Sequence, residues 1–361
     1  MMMLSDEFIS ELKSRNDIEE IVGEYVNLQR KGKNLMGICP FHSERTPSFC
    51  VYPSNGSFYC FGCGAGGDVI TFLRLIEHYD YLEAVKNLAE RVGMDFQISE
   101  EDNAVHNKKL LIYEINREAA KFYHSQLLSE TGKEATEYLH SRGISKSSVK
   151  HFGLGYSPKN GYALVDYLNK KGYNKKDIIL SDLAFKSRNG REIDRFRNRL
   201  MFPIIDVRGN VIAFGARTMG NDTPKYINTS DTLVFKKSSN LFALNFAKKS
   251  GKNNLILTEG YMDVISLHQS GFTNTVAGLG TALTSGQVKL LSRNADEIII
   301  CYDSDEPGKK AADRAMKMIR GDGLNVKILT IPKAKDPDEF LRANGKDGAF
   351  KFRSLIENSK N

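Results

Sequence analysis

Two stretches, Leu255-Ile256-Leu257-Thr258-Glu259-Gly260-Tyr261-Met262-Asp263 and Ile298-Ile299-Ile300-Cys301-Tyr302-Asp303-Ser304-Asp305, decide how the second half of the chain folds. Each is a short apolar run that ends on acidic residues. Such a run, bounded by turn signals, is the pattern of a strand covered on both faces. Two more runs, at 275–277 and 326–331, repeat it, with helical or turn segments between. The alternation predicts a small α/β domain over 253–335 with a mainly parallel sheet. Ligands of such sheets gather at the carboxyl ends of the strands. The acidic residues fall there: Glu259 with Asp263, then Asp303 with Asp305, then Asp336 and Asp338 after the last run. So many carboxylates at one edge repel one another unless hard divalent cations join them, and magnesium prefers carboxylate oxygen. Two such ions can hold a nucleoside triphosphate, activate an attacking hydroxyl and stabilise a leaving pyrophosphate. A single Asp-x-Asp is more often a turn or a helix cap; recurrence at successive strand ends carries the reading.

Upstream, helical patterns dominate to residue 183, and residues 201–214 alternate like a hairpin around Arg208-Gly209-Asn210. The net charge of the 361 residues is +7, but residues 186–252 hold 14 Lys/Arg against 5 Asp/Glu, a local +9. Concentrated positive charge points to a polyanionic partner rather than only a solvated face.

The first hundred residues carry a different chemistry. Cys39-Pro40-Phe41-His42 and Cys60-Phe61-Gly62-Cys63 are two knuckles, each able to present a pair of ligands to one tetrahedral ion. No carboxylate is expected with the set, and four protein ligands close the shell, so one structural Zn2+ is predicted at Cys39, His42, Cys60 and Cys63. Of the five cysteines, Cys50 and Cys301 are left over, and Cys301 reads as a buried small hydrophobe. Arg30, Lys31 and Lys33 with Phe49, Tyr52, Phe58, Tyr59 and Phe61 suit stacking of unpaired bases over a charged groove, although any one ring serves the small core equally well. Residues 99–109 are almost without apolar content and read as a linker. The composition, 41% hydrophobic and 26% charged, is that of an ordinary globular chain. With neither a membrane-length apolar run nor a secretory leader at Met1, a cytoplasmic protein is expected.

Thr258-Glu259-Gly260-Tyr261-Met262-Asp263-Val264 and Tyr302-Asp303-Ser304-Asp305 resemble the two signatures of a TOPRIM domain, and Ala277-Gly278-Leu279-Gly280-Thr281-Ala282 resembles its primase version. Arg195-Phe196-Arg197-Asn198-Arg199-Leu200-Met201-Phe202-Pro203-Ile204, Phe214-Gly215-Ala216-Arg217 and Pro224-Lys225-Tyr226-Ile227-Asn228 are similar to signatures of bacterial DnaG-type DNA primases. So is the zinc segment through Thr46-Pro47-Ser48-Phe49. The resemblance covers nearly the whole chain in the family's order. It implies an α/β and α+β multidomain protein. The zinc-ribbon-like domain would span 1–100 and the linker 101–109. A mixed α+β basic subdomain would span 110–252 and the TOPRIM subdomain 253–335, with a helical subdomain starting over 336–361.

The resemblance also implies a DNA-templated RNA polymerase making short primers on single-stranded DNA. Glu259, Asp303 and Asp305 would bind two or more Mg2+ or Mn2+ ions, with Asp263, Asp336 and Asp338 completing the acidic pocket. Arg199, Arg217, Lys225 and Lys237 would form a basic ridge for template, primer or incoming ribonucleoside triphosphate. Partners implied are single-stranded DNA, the RNA–DNA hybrid product and single-strand-binding protein, with the chain itself a monomer at the replication fork. The family's C-terminal domain, which grips the replicative helicase, is not in this sequence. Departures are Ser304 where glycine is usual, Pro307 for a common alanine, and Ser238-Ser239 for a Gly-Arg pair, which makes Lys237 the less secure contact. Rival readings are a non-catalytic zinc and TOPRIM scaffold of the recombination type, a topoisomerase, and a nuclease. The scaffold lacks the full acidic set and the long basic segment, and a topoisomerase needs a large separate tyrosine domain.

Overall fold

The computed structural model describes residues 5–42, 44–95, 100–280 and 282–359. The chain divides into two compact units, one of residues 1–107 with 292–296, the other of 108–291 with 297–361.

The first unit opens on α1 (Asp6–Arg15) and α2 (Ile18–Gly23), started by Ser5 and Asp17, whose side chains accept the amides of Phe8 and Glu19. An antiparallel sheet follows in the order β1 (Gln29–Lys31), β2 (Asn34–Gly37), β3 (Phe49–Tyr52), β4 (Ser57–Cys60) and β5 (Gly66–Asp68). Two helices, α3 (Val69–Ile76) and α4 (Tyr81–Arg91), close it, the second begun by a capping box between Asp80 and Glu83. Strand alternation sorts the aromatic patch. Phe49 and Phe58 point inward and pack with Phe41 and Phe72, ring centroids 5.2–6.2 Å apart. Tyr59, between Phe58 and Cys60, points out and meets exposed Phe61 edge-on at 5.1 Å.

Residues 101–109, expected as a linker, are the first turns of a regular helix, α5 (Glu100–Leu127). They hold no glycine or proline, so low apolar content alone does not interrupt a helix. The second unit continues with α6 (Lys133–Ser141), α7 (Lys146–Phe152), β6 (Gly155–Ser157), α8 (Ala163–Lys170), α9 (Lys175–Leu180) and the hairpin β7 (Ala184–Lys186) and β8 (Glu192–Asp194). Asp194 is fully buried and accepts the Leu164 and Val165 amides, both at 2.9 Å, capping α8 from a distant strand. The anticipated hairpin is β9 (Arg199–Ile205) and β10 (Val211–Thr218), in a four-stranded sheet ordered β11 (Tyr226–Asn228), β10, β9, β6. A short helix, α10 (Leu244–Ala247), leads to the predicted parallel sheet.

That sheet is ordered β13 (Thr275–Ala277), β12 (Asn254–Thr258), β14 (Glu297–Ile300), β15 (Asn325–Ile328), every pair parallel. Helices α11 (Tyr261–Gln269), α12 (Ser285–Ser292) and α13 (Glu306–Gly321) make the crossovers, and α14 (Pro337–Asn344) and α15 (Gly348–Glu357) end the unit. Tyr261 joins the two sheets. Its ring stacks on Phe202 at 4.9 Å and its hydroxyl donates to Asn228 at 2.6 Å. A Cβ on Gly215 would sit 2.4 Å from that ring, so glycine there is what lets α11 start against β10.

Candidate metal centres and basic surface

Because β12 and β14 run parallel with Leu257 opposite Ile300, the residues after them leave the sheet at one edge. Glu259 follows β12, and its carboxylate accepts the Asp303 amide at 3.1 Å. Asp305 caps α13 by accepting the Gly308 amide at 2.9 Å, and Asp336 caps α14 by accepting the Glu339 amide at 2.7 Å. Asp305 and Asp336 are thus each held on one oxygen by a helix start, while Glu259 is held by the main chain of Asp303. Gly308 is required beside them, since a Cβ there would meet the Asp303 carbonyl oxygen at 2.2 Å. Glu259 and Asp305 are exposed, and Asp303 and Asp336 are half-buried.

The carboxyls disturb one another. Although solvent reaches Glu259, the protein around it strips part of its hydration and raises it, with Asp303 adding to the shift, and Asp303 is raised by burial and then by Asp336. Asp263, buried one turn into α11, is pushed well above the usual carboxylate range by burial and then by Asp336. Lys335 places its ammonium 3.6 Å from both Asp303 and Asp305. Hard oxygen donors that resist ionising together fit divalent cations of the magnesium type. They are not drawn into one tight ligand set. Among the described residues, the group of three or more His, Cys, Asp or Glu with ligand atoms all within 4.8 Å is Cys39, His42, Cys60 and Cys63.

Asp338, expected in the pocket, is spoken for. It is fully buried, takes Arg142 at 2.9 Å and Arg342 at 3.2 Å on one oxygen, and accepts the Ser266 hydroxyl at 2.5 Å on the other. With both oxygens engaged it serves as an anchor for α14.

The zinc-type tetrad forms as expected. Cys39 and Cys63 sulfurs lie 3.9 Å apart, and Cys60 Sγ lies 3.7 Å from His42 Nδ1. The contact between the two sulfurs holds Cys63 low and Cys39 high, and a bound cation would take the place of the thiol proton. The expectation that no carboxylate accompanies the set is corrected: Glu44 lies against it, 3.3 Å from His42 Nε2. Burial would raise its carboxyl, but Ser48, two amides and His42 outweigh that and hold it low.

Three family models match the chain. They are a CHC2 zinc finger over residues 4–104, a DNA primase catalytic core N-terminal domain over 122–248, and a Toprim-like domain over 256–341. The crystal structure of the Aquifex aeolicus primase, zinc-binding and RNA polymerase domains, is similar at 39% identity and a TM-score of 0.66. It is matched over 99% of this chain and 86% of that one. The chain belongs to the DnaG DNA primase family. A Clostridium acetobutylicum DNA primase is 42% identical over 99% of this chain. A DnaG primase catalytic domain bound to ssDNA is 34% identical with a TM-score of 0.64, over 70% of this chain and 80% of that one. The chain spans about 60% of the length of the curated relatives it matches first. The primase zinc finger fits one structural Zn2+, and the Toprim-like domain fits catalytic Mg2+ or Mn2+. No helix among the described residues is long and apolar enough to cross a membrane.

The basic residues expected from the primase resemblance divide. Arg217 lays its guanidinium 4.1 Å over the Tyr138 ring, and exposed Lys225 follows it in space. The Lys225 ammonium is held below the ordinary lysine value by partial loss of hydration, then by Arg217, Arg142 and Lys335. Arg199 is corrected: it is buried, and its guanidinium donates to the carbonyls of Ala216, Pro224 and Lys225 at 3.3–3.5 Å. It fixes the segment just before β11 that carries Lys225, instead of joining an open ridge. Lys237 is half-buried, with its main chain tied to Asp231 and Gln287. Sequence reading missed Arg142, which bridges Asp338 and the Tyr138 ring at 5.8 Å. Its place in a plain helical stretch gives no signal of that.

Proposed function

We propose that the chain is the catalytic part of a DNA primase, synthesising short RNA primers on single-stranded DNA at the replication fork. The observation that carries the proposal is the open edge of the parallel sheet. There Glu259, Asp303, Asp305 and Asp336 share one field with Lys335, and Asp336 also feels Arg142 and Lys225, the latter beside Arg217. Glu259, Asp303 and Asp305 would hold magnesium or manganese, which supplies positive charge to a triphosphate and acidifies an attacking hydroxyl. Arg217 and Lys225 bind phosphate oxygens of template or incoming ribonucleotide, as fixed charges that need no reorganisation. Tyr138 keeps the Arg217 guanidinium flat and aimed. Asp263, kept high, can hold a proton at its carboxyl beside the open acids. Exposed Tyr59 and Phe61 offer faces to unpaired bases of the template. The replicative helicase and single-strand-binding protein are partners of the longer protein under this reading, and its place is the cytoplasm.

The test is primer synthesis from labelled ribonucleotides on mixed single-stranded templates, with magnesium or manganese and with EDTA as control. Short metal-dependent RNA is expected, and Asp303→Ala should abolish it while leaving DNA binding nearly intact. Tight DNA binding without product would favour a scaffold, and normal synthesis by Asp303→Ala would overturn the metal assignment.

A further inference from the structure

Glu44 makes four polar contacts beside the zinc-type tetrad without belonging to it. One carboxylate oxygen accepts the Cys39 amide at 2.7 Å and the Ser48 amide at 3.1 Å. The other accepts the Ser48 hydroxyl and lies 3.3 Å from His42 Nε2. Its side chain is only 10% exposed, so water does not compete for these contacts. A carboxylate has no proton to give, so the proton between it and His42 sits on Nε2. That leaves the imidazole lone pair on Nδ1, and Nδ1 is the nitrogen that faces Cys60 Sγ at 3.7 Å. Gly62 also stands close to the ring, where a Cβ would lie 2.5 Å from Nε2.

We infer that Glu44 is the positioning residue of the zinc finger: it selects the Nδ1-ligating tautomer of His42 and closes the loop from Cys39 to Ser48 around it. Outer partners of this kind orient a ligating histidine and raise its basicity, and their loss typically weakens metal binding about 10- to 100-fold. The inference concerns zinc retention and does not depend on template-directed synthesis.

The discriminating variant is Glu44→Gln. Its amide oxygen can still accept from Cys39 and Ser48, but its NH2 then faces His42 Nε2–H, donor against donor. Zinc transfer from the full chain to a colorimetric chelator should be about 10- to 100-fold faster in Glu44→Gln than in wild type. Glu19→Gln, at an exposed acid paired with Arg30 outside the tetrad, should match wild type. In zinc-loaded wild type labelled with 15N-histidine, His42 should show metal on Nδ1 and a slowly exchanging proton on Nε2, with exchange faster in Glu44→Gln. A Glu44→Gln chain that releases zinc within about twofold of the wild-type rate would overturn the inference. So would wild-type His42 bound through Nε2, a result that needs no variant to fold.

Discussion

Asp303 and Asp338 look alike in sequence, each in an acidic cluster after a strand, but they do opposite work. Asp303 is half-buried among like charges, whereas Asp338 is enclosed by two guanidiniums and a hydroxyl. Replacing Asp303 by Asn should therefore remove repulsion: thermal stability in metal-free buffer is expected to hold or rise, while the stabilisation by added magnesium shrinks. Replacing Asp338 by Asn leaves Arg142 and Arg342 without their counter-charge, a loss on the order of 3 kcal/mol in urea unfolding. An Asp338→Asn chain with wild-type urea resistance but no primer synthesis would make Asp338 a metal or substrate ligand after all. The clusters themselves were legible from spacing; which carboxylate faces solvent was not, because Arg142 arrives from about 200 residues away.

At the scale of elements, α11 is the piece on which the site hangs, and it is buried from Tyr261 through His268. Its last turn carries His268, where a helix C-terminus would favour a cation. Burial wins. Packed by Phe152 and Phe246, with Nε2 donating to the Thr275 carbonyl at 2.8 Å, its pKa is pushed down to about 4 from 6.5. The unfolded chain takes up a proton near pH 6.5, and the folded chain refuses it until about pH 4. Stability should thus be full above pH 6.5 and fall as pH drops towards 4, by up to about 3 kcal/mol. Urea titrations from pH 7 to pH 4.5 should show that slope, reduced in His268→Gln. An equal slope in the variant would assign the acid sensitivity to other groups. A strand–helix–strand pattern predicts α11, but not that all its faces are covered, since that depends on which sheets flank it.

For the whole molecule, the first unit is small and the end of β4 with the loops after β2 and β4 carries all four zinc-type ligands, so its stability is tied to the metal. The second unit has its own cores on both faces of its parallel sheet and no such ligand set among its described residues. Stripping zinc with a strong chelator should abolish amide protection in β2 to β4 and leave β9, β10, β12 and β14 protected, as read by hydrogen exchange. Loss of protection in both units would mean that they fold as one.

The sequence by itself determined the strands of the parallel sheet, the four zinc-type ligands, and the strand ends on which acids fall, because periodicity and spacing are local properties of the chain. It also placed the positive charge, since composition needs no geometry. Tertiary structure alone decided what each charged group faces. Arg199 reads like its basic neighbours but is buried against the Pro224 and Lys225 carbonyls, Asp338 reads like Asp336 but is locked by Arg142, and Glu44 reads as a loop acid but orients His42. In each case the deciding partner comes from another element or from across a loop. Burial then sets the strength of the interaction, which no local pattern encodes.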